Sequence, residues 1–257
     1  MSTPTSPMVP AVEPNAELAQ PGLSEPARII NTFSAPSKTF LDIRSNASWW
    51  VPWLLMSIFA IAFSVMVDKK IGFDQVAQKY IANSKQLQSQ PPEQQARMAS
   101  NIATFSKYSG YASPVFIFFF ALITAVVLRG AFNFLMASEV SFGRSMAIVM
   151  YGWLPGSLIF SILSMITVSL ADPEGFRVES PVGTNPSYFL DPHTTSRFLL
   201  VSLSAFDVFS LWMVALVGIG FALNAKKKLK MSTAIATVAA FYFFAKLVGA
   251  FFAGMGG

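Results

Sequence analysis

Three ionisable side chains lie inside long apolar stretches of this sequence and are the residues best placed to do chemistry: Arg129, Asp207 and Lys246. A charge near the centre of a bilayer costs about 2.5–3.5 kcal/mol on insertion scales, so each needs a partner or a function. Asp207 and Lys246 fall at comparable depths in two consecutive stretches, which predicts an ion pair. The pair either joins two helices or forms part of a proton or ion path. The first interpretation is favoured, because one pair is not a relay.

Two further polar or helix-breaking features accompany these charges. Arg129 lies near one end of its stretch, where it can reach lipid phosphates, and Asn133 one turn later could share a polar contact with it. Pro155 and Gly156 predict a helix kink, because proline removes a helical hydrogen bond and clashes with the preceding turn. Kinks line cavities in transporters, but they are also common in membrane bundles of every kind.

Residues typical of catalysis or metal binding are scarce. The chain has no cysteine, and His193 is its single histidine. A lone histidine in a loop supports neither a catalytic triad nor a metal site. We therefore expect no catalytic residue, no metal, no cofactor and no enzymatic activity.

The elements that carry these residues are five apolar stretches. The composition is 53% hydrophobic and 12% charged, whereas soluble domains carry about 25% charged residues. Roughly 20 apolar residues span the hydrocarbon core as a helix, and backbone groups in lipid must pair internally. The sequence thus predicts an all-α polytopic membrane bundle with five transmembrane helices, at about residues 49–67, 112–136, 145–170, 201–223 and 232–252.

The segments outside the spans complete the predicted organisation. Residues 1–27 are rich in proline and poor in large apolar residues, which predicts a disordered tail before a membrane domain at 28–253. Short amphipathic helices are expected in the membrane interface before the first span. Helical spacing around Phe73 and Ile102, on either side of Pro91, predicts an outward helical hairpin between the first two spans.

The distribution of basic residues predicts the orientation of the chain in the membrane and suggests anionic lipids as partners. The turn between the last two spans carries Lys226, Lys227, Lys228 and Lys230. Basic residues concentrate in short cytoplasmic loops, so the N-terminus is predicted to be cytoplasmic. These lysines could contact anionic lipid headgroups, although anchoring alone would explain them. Nucleic acid is not an expected partner.

Small residues recur every four positions along the last span. Ala245, Gly249 and Ala253 form one such stripe, and Ser232, Ala236 and Ala240 form another. Small side chains let helices approach closely in lipid. Packing within the bundle is the favoured interpretation, and self-association is the alternative.

Four segments in this order suggest a family. They are INTFSAPSKTFLDI running into WWVPWLL, MYGWLPGSL in the third span, FDVFSLWMVALVGIGFAL in the fourth, and a basic turn before a last span of small and aromatic residues. Over about residues 28–253 the chain resembles the Yip family (Ypt-interacting proteins, the Yip-one domain) in its bacterial form. The resemblance implies five spans, a cytosolic N-terminus and no catalytic residue. Eukaryotic members are associated with Rab-type GTPases and vesicle traffic, which a chain of bacterial type should not inherit.

The functional hypothesis is a non-enzymatic membrane adaptor or scaffold, in a bacterial cytoplasmic membrane, that binds other membrane proteins or lipids. The alternative is a small transporter or channel component that uses Asp207, Lys246 and the Pro155 kink. A sealed bundle would favour the first, and a solvated polar cavity would favour the second.

Overall fold

The computed structural model of the chain describes residues 22–170, 181–192 and 194–255. Within those ranges the secondary structure is helical, which confirms the all-α prediction. The helices are α1 (Glu25–Ser34), α2 (Pro36–Asp42), α3 (Trp50–Lys70), α4 (Phe73–Ala82), α5 (Lys85–Gln88), α6 (Pro92–Tyr111), α7 (Ser113–Met136), α8 (Phe142–Leu170), α9 (Arg197–Ser204), α10 (Val208–Asn224) and α11 (Met231–Met255), with a short 3₁₀ helix at Pro186–Phe189.

Four of these helices, α3, α7, α8 and α11, are each long and apolar enough to cross a membrane. Helices α9 and α10 pass this test only together and are bent by 49° relative to each other, so they form either a fifth, broken crossing or a re-entrant loop. This confirms a polytopic helical bundle. The fourth span predicted at 201–223 is, however, not one continuous helix. It is interrupted after Ser204 and restarts at Val208.

Helix α8 lies at the centre of the bundle and packs against α3, α7 and α10, while α11 packs on the far side of α10. Two glycines allow these close approaches. A Cβ atom on Gly152 of α8 would lie 2.5 Å from the Val217 side chain, and one on Gly218 of α10 would lie 2.5 Å from the Cα atom of Ile235. We call the end where α3 and α8 begin the inner end, and the opposite end the outer end.

The short helices predicted before the first span are present as α1 and α2. Pro36 occupies the first turn of α2, where its missing N–H costs nothing. The structure adds that their inward face is buried in the bundle against α8 and α10. Phe40 and Ile43 have no exposed surface, and Thr32 and Thr39 are also buried. The hairpin α1–α2 therefore precedes the first span in the chain and also forms part of the core of the bundle.

The helical hairpin predicted between the first two spans is confirmed as α4 packed on α6, while its outward placement stays a prediction. Val76 and Ala77 of α4 lie in one apolar cluster with Ala103 of α6 and Val67 at the outer end of α3. Polar contacts fix the same helices: the Tyr111 hydroxyl donates to Asp68 at 2.9 Å.

Parts of the chain lie outside the described residues. Of the predicted tail, residues 1–21 are not described, and residues 25–27 already belong to α1. His193 and residues 171–180, which lie between the third and fourth predicted spans, are likewise outside the described ranges.

Candidate functional site

Asp207 caps the start of α10. Its carboxylate accepts a hydrogen bond from the backbone N–H of Ser210 at 2.9 Å and another from the Thr184 hydroxyl. The first N–H groups of a helix have no intrahelical partner, so an aspartate at this position satisfies one of them. The Asp-x-x-Ser spacing was a signal for this cap that span prediction overlooked, because the apolar residues continue on both sides.

Within the described part of the chain, Asp207 and Lys246 do not form the predicted ion pair. Lys246 instead lies over the ring of Tyr242, with its Nζ atom 5.8 Å from the ring centre. The Tyr242 hydroxyl donates to the carbonyl of Ala205 at 2.9 Å. The helix break explains why the ion pair does not form. It leaves backbone N–H groups at the start of α10 for the Asp207 carboxylate to bind, and it leaves the carbonyl of Ala205 for the Tyr242 hydroxyl to bind.

Arg129 and Asn133 meet at one backbone acceptor. The Arg129 Nε atom and the Asn133 side-chain amide both donate to the carbonyl of Val140, at 3.2 and 3.0 Å, and Asn133 accepts from the Val140 N–H at 2.8 Å. The possible contact between the two side chains is thus realised through a shared partner. Together they hold the turn between α7 and α8.

Pro155 and Gly156 lie within a helix that does not end at them, since α8 runs from Phe142 to Leu170. Gly156 is a close-approach position, where a Cβ atom would lie 2.7 Å from the Met213 side chain of α10. The kink remains a prediction. What the structure adds is a packing role for the glycine.

The lysine turn is divided into one engaged lysine and three others. Lys226 forms an ion pair with Glu139 at 2.7 Å, and its N–H donates to the carbonyl of Ser138 at 2.9 Å. The side-chain hydrogen bond from Lys226 to Glu139 lowers the pKa of Glu139 and raises the pKa of Lys226. Lys227, Lys228 and Lys230 are exposed and form no ion pair with a described residue. Lys226 therefore fastens the α10–α11 turn to the α7–α8 turn.

A buried polar cluster surrounds Arg28, and the sequence patterns did not predict it. The Arg28 guanidinium has no exposed surface, forms an ion pair with Asp42 and donates to the carbonyl of Asn46 at 2.7 Å. Burial alone would lower its pKa, but hydrogen bonds to Asp42 and Tyr151 raise the pKa of Arg28 above the ordinary value. Glu25 completes the cluster by accepting from the Tyr151 hydroxyl at 2.7 Å.

Two arginines meet at the inner end of α10. The Arg44 guanidinium donates through Nε to the carbonyl of Leu223 at 2.8 Å, and also through Nη2. Arg144 donates through Nη2 to the carbonyl of Arg44 at 2.8 Å. This arrangement was not predictable from sequence patterns, because the two residues are 100 positions apart and lie in different segments.

The small-residue stripes of α11 do not pack within the bundle as expected. Ala245 and Gly249 are exposed, and a Cβ atom on Gly249 would meet nothing within 4 Å. The members of the other stripe, Ser232, Ala236 and Ala240, are exposed as well. Helix α11 is the edge of the bundle, with α10 and α9 as its neighbours. The favoured interpretation was wrong for these residues, and self-association stays a prediction.

Within the described ranges, no group of three or more His, Asp or Glu side chains is arranged to hold a metal ion. A comparison with protein families matches the model of the Yip1 domain to residues 30–252. No curated protein and no solved structure matches the chain. The matched range runs from α1 to the last turns of α11, so the match covers the whole helical bundle.

Proposed function

Because the chain belongs to the Yip1 domain family, we propose that this integral multi-pass membrane protein is a non-enzymatic scaffold that binds other membrane proteins or lipids. The family is not a known enzyme family. We further propose that the inner end faces the cytoplasm and that the membrane is a bacterial cytoplasmic membrane. Nine basic and three acidic residues in the inner segments 22–49, 129–144 and 225–230 support this orientation.

One observation carries the proposal: each of the three charged residues within the predicted spans contacts its own chain. Arg129 binds the carbonyl of Val140, Asp207 caps α10, and Lys246 lies on the Tyr242 ring. Intramembrane charges usually mark a transport path or a structural contact. Here all three have structural contacts, which supports the scaffold.

The alternative, a small transporter or channel component, is favoured by the broken span. Discontinuous helices in membrane proteins often form substrate sites. The interruption between α9 and α10 brings together polar groups of Asp207, Thr184 and Tyr242. Asp207 and Lys246 without their ion pair, together with Pro155, would be the residues of such a site.

Cysteine accessibility separates the two functions, since the chain has no cysteine of its own. Met213 faces Gly156 in the α8–α10 contact, and Met213→Cys should resist a water-soluble maleimide applied to either side of sealed proteoliposomes. Lys227→Cys and Ser84→Cys are matched controls that should react from opposite sides. Labelling of Met213→Cys at rates near those of the controls would support transport and contradict the scaffold. Labelling of both controls from the same side would contradict the placement of the inner and outer ends on opposite sides of the membrane.

A further inference from the structure

The carboxylates of the inner segments are all used by the chain itself. Glu25 and Asp42 pair with Arg28, and Glu139 pairs with Lys226. In segments 22–49, 129–144 and 225–230 no further acidic residue is present. The other basic side chains at this end therefore have no carboxylate of the described chain to pair with, and Arg44 and Arg144 are among them.

These two arginines differ from the lysines because the protein holds them in place. Arg44 is held by the carbonyl of Leu223, and Arg144 is held by the backbone of Arg44 itself. Each of these bonds uses only part of a guanidinium. Nη1 of Arg44, and Nε and Nη1 of Arg144, have no hydrogen-bond partner among the described residues. A planar fork that is already fixed loses little conformational entropy when it binds an anion.

The surroundings of the pair suit a lipid rather than a free anion. Arg44 is exposed and follows α2, whose exposed side also carries Lys38 and Leu41. Leu41 is 44% exposed and lies three residues before Arg44. A basic group beside an exposed apolar side chain matches a headgroup with its adjoining acyl chain.

We propose that Arg44 and Arg144 bind the phosphodiester of an anionic phospholipid in the leaflet at the inner end. On each guanidinium, Nη1 and the second hydrogen of Nη2 lie side by side and can bind two phosphate oxygens through parallel hydrogen bonds. Lys227, Lys228 and Lys230 attract anionic lipids to the same end without fixing one. This inference rests on the lipid-binding part of the proposed function and goes beyond it, because it assigns the site to two arginines instead of the lysine turn.

The test measures phospholipid retained by the detergent-purified full-length protein, using native mass spectrometry. Dioleoyl phosphatidylglycerol should remain bound at concentrations where dioleoyl phosphatidylcholine does not. The variant with Arg44→Lys and Arg144→Lys keeps both charges but lacks the forks, and it should bind phosphatidylglycerol about tenfold more weakly. The control Lys227→Ser with Lys228→Ser loses two charges at the same end and should retain most of the binding.

Other outcomes would overturn the assignment. Equal weakening by the arginine and lysine variants would mean diffuse attraction, and no preference for phosphatidylglycerol would remove the site. Displacement of the lipid by millimolar inorganic phosphate would identify a free-anion site. Arg144→Gln, which leaves the Arg44 contact with Leu223 in place, guards against misfolding of the double variant. The Met213 labelling experiment uses neither arginine, so the scaffold and this site can fail separately.

Discussion

The guanidinium of Arg28 and the carboxylate of Asp42 form an ion pair in which Arg28 has no exposed surface and Asp42 has 9%. The contact joins α1 to α2, and the Leu23 N–H donates to the other oxygen of Asp42 at 2.9 Å. The hydroxyls of Thr32 and Thr39 both donate to the Arg28 carbonyl, at 2.7 and 2.9 Å. Helices of ten and seven residues are too short to be stable alone, so this polar core and the packing against the bundle hold the hairpin.

Removing Asp42 should destabilise the protein strongly, because the buried guanidinium of Arg28 then keeps only the 3.5 Å contact with the partly exposed carboxylate of Glu25. We expect Asp42→Ala to lower the free energy of unfolding by about 3–5 kcal/mol, measured by SDS titration in mixed micelles. The exposed pair of Glu93 and Arg97 is the matched control, and Glu93→Ala should cost no more than about 0.5 kcal/mol. Similar losses in both variants would show that Arg28 is not buried as described.

Gly218 and Gly249 should respond in opposite ways to the same added methyl group. In Gly218→Ala the new Cβ atom meets the Ile235 backbone, with Cα at 2.5 Å and N at 2.8 Å. Backbone atoms cannot rotate away, so we expect a loss of about 1–3 kcal/mol. Gly249→Ala adds a methyl group in open space and should be neutral or stabilising by about 0.5–1 kcal/mol. The same SDS titration decides, and a harmless Gly218→Ala would contradict the α10–α11 packing.

The length of the apolar stretches and the family resemblance predicted the bundle, the helical hairpin between the first two spans and the short helices α1 and α2 before the first span. These elements depend on the pattern of apolar residues within one segment. Contacts between distant positions were not predictable in this way. From the sequence alone, Arg28 is one more basic residue of an amphipathic helix. Its contacts with Asp42 and Tyr151 exist only in the folded protein. Asp207 shows the opposite difficulty: hydropathy averaged over a window conceals a helix break that one capping residue marks.

The pair of Glu139 and Lys226 should give a defined pH window. The pKa of Glu139 is lowered in the folded protein, so its contribution is present above the unfolded value of about 4.3 and is lost as pH falls through the folded value. The pKa of Lys226 is raised, so its contribution is present below about 10.4 and is lost as pH rises through the folded value. The difference in unfolding midpoint between wild type and Lys226→Gln should therefore be largest between these limits. For Lys230→Gln, which removes a lysine without an ion pair, the difference in unfolding midpoint from wild type should not decrease as the pH falls through the pKa of Glu139.

Asp207 and Lys246 should behave as energetically independent residues. Asp207→Ala removes the cap of α10 and should cost about 0.5–2 kcal/mol, while Lys246→Ala should cost less. In a double-mutant cycle their coupling energy should be within about 0.5 kcal/mol of zero. Ser196→Ala, which removes the corresponding cap of α9, is a control for the capping loss. A coupling energy of several kcal/mol would instead show that Asp207 and Lys246 form an ion pair.

Phe105 and Tyr108 of α6 should lie in the membrane interface at the outer end. They are 71% and 70% exposed, and α7, the next helix, also exposes Val115 and Phe116 in its first turn. Aromatic side chains concentrate at the boundary between lipid and water. Nitroxide labels on Phe105→Cys and Tyr108→Cys in bilayers should collide with oxygen more often than with a water-soluble nickel chelate. Arg97→Cys, two turns nearer the start of α6, should show the reverse, and equal nickel exposure at all three positions would place the whole helix in water.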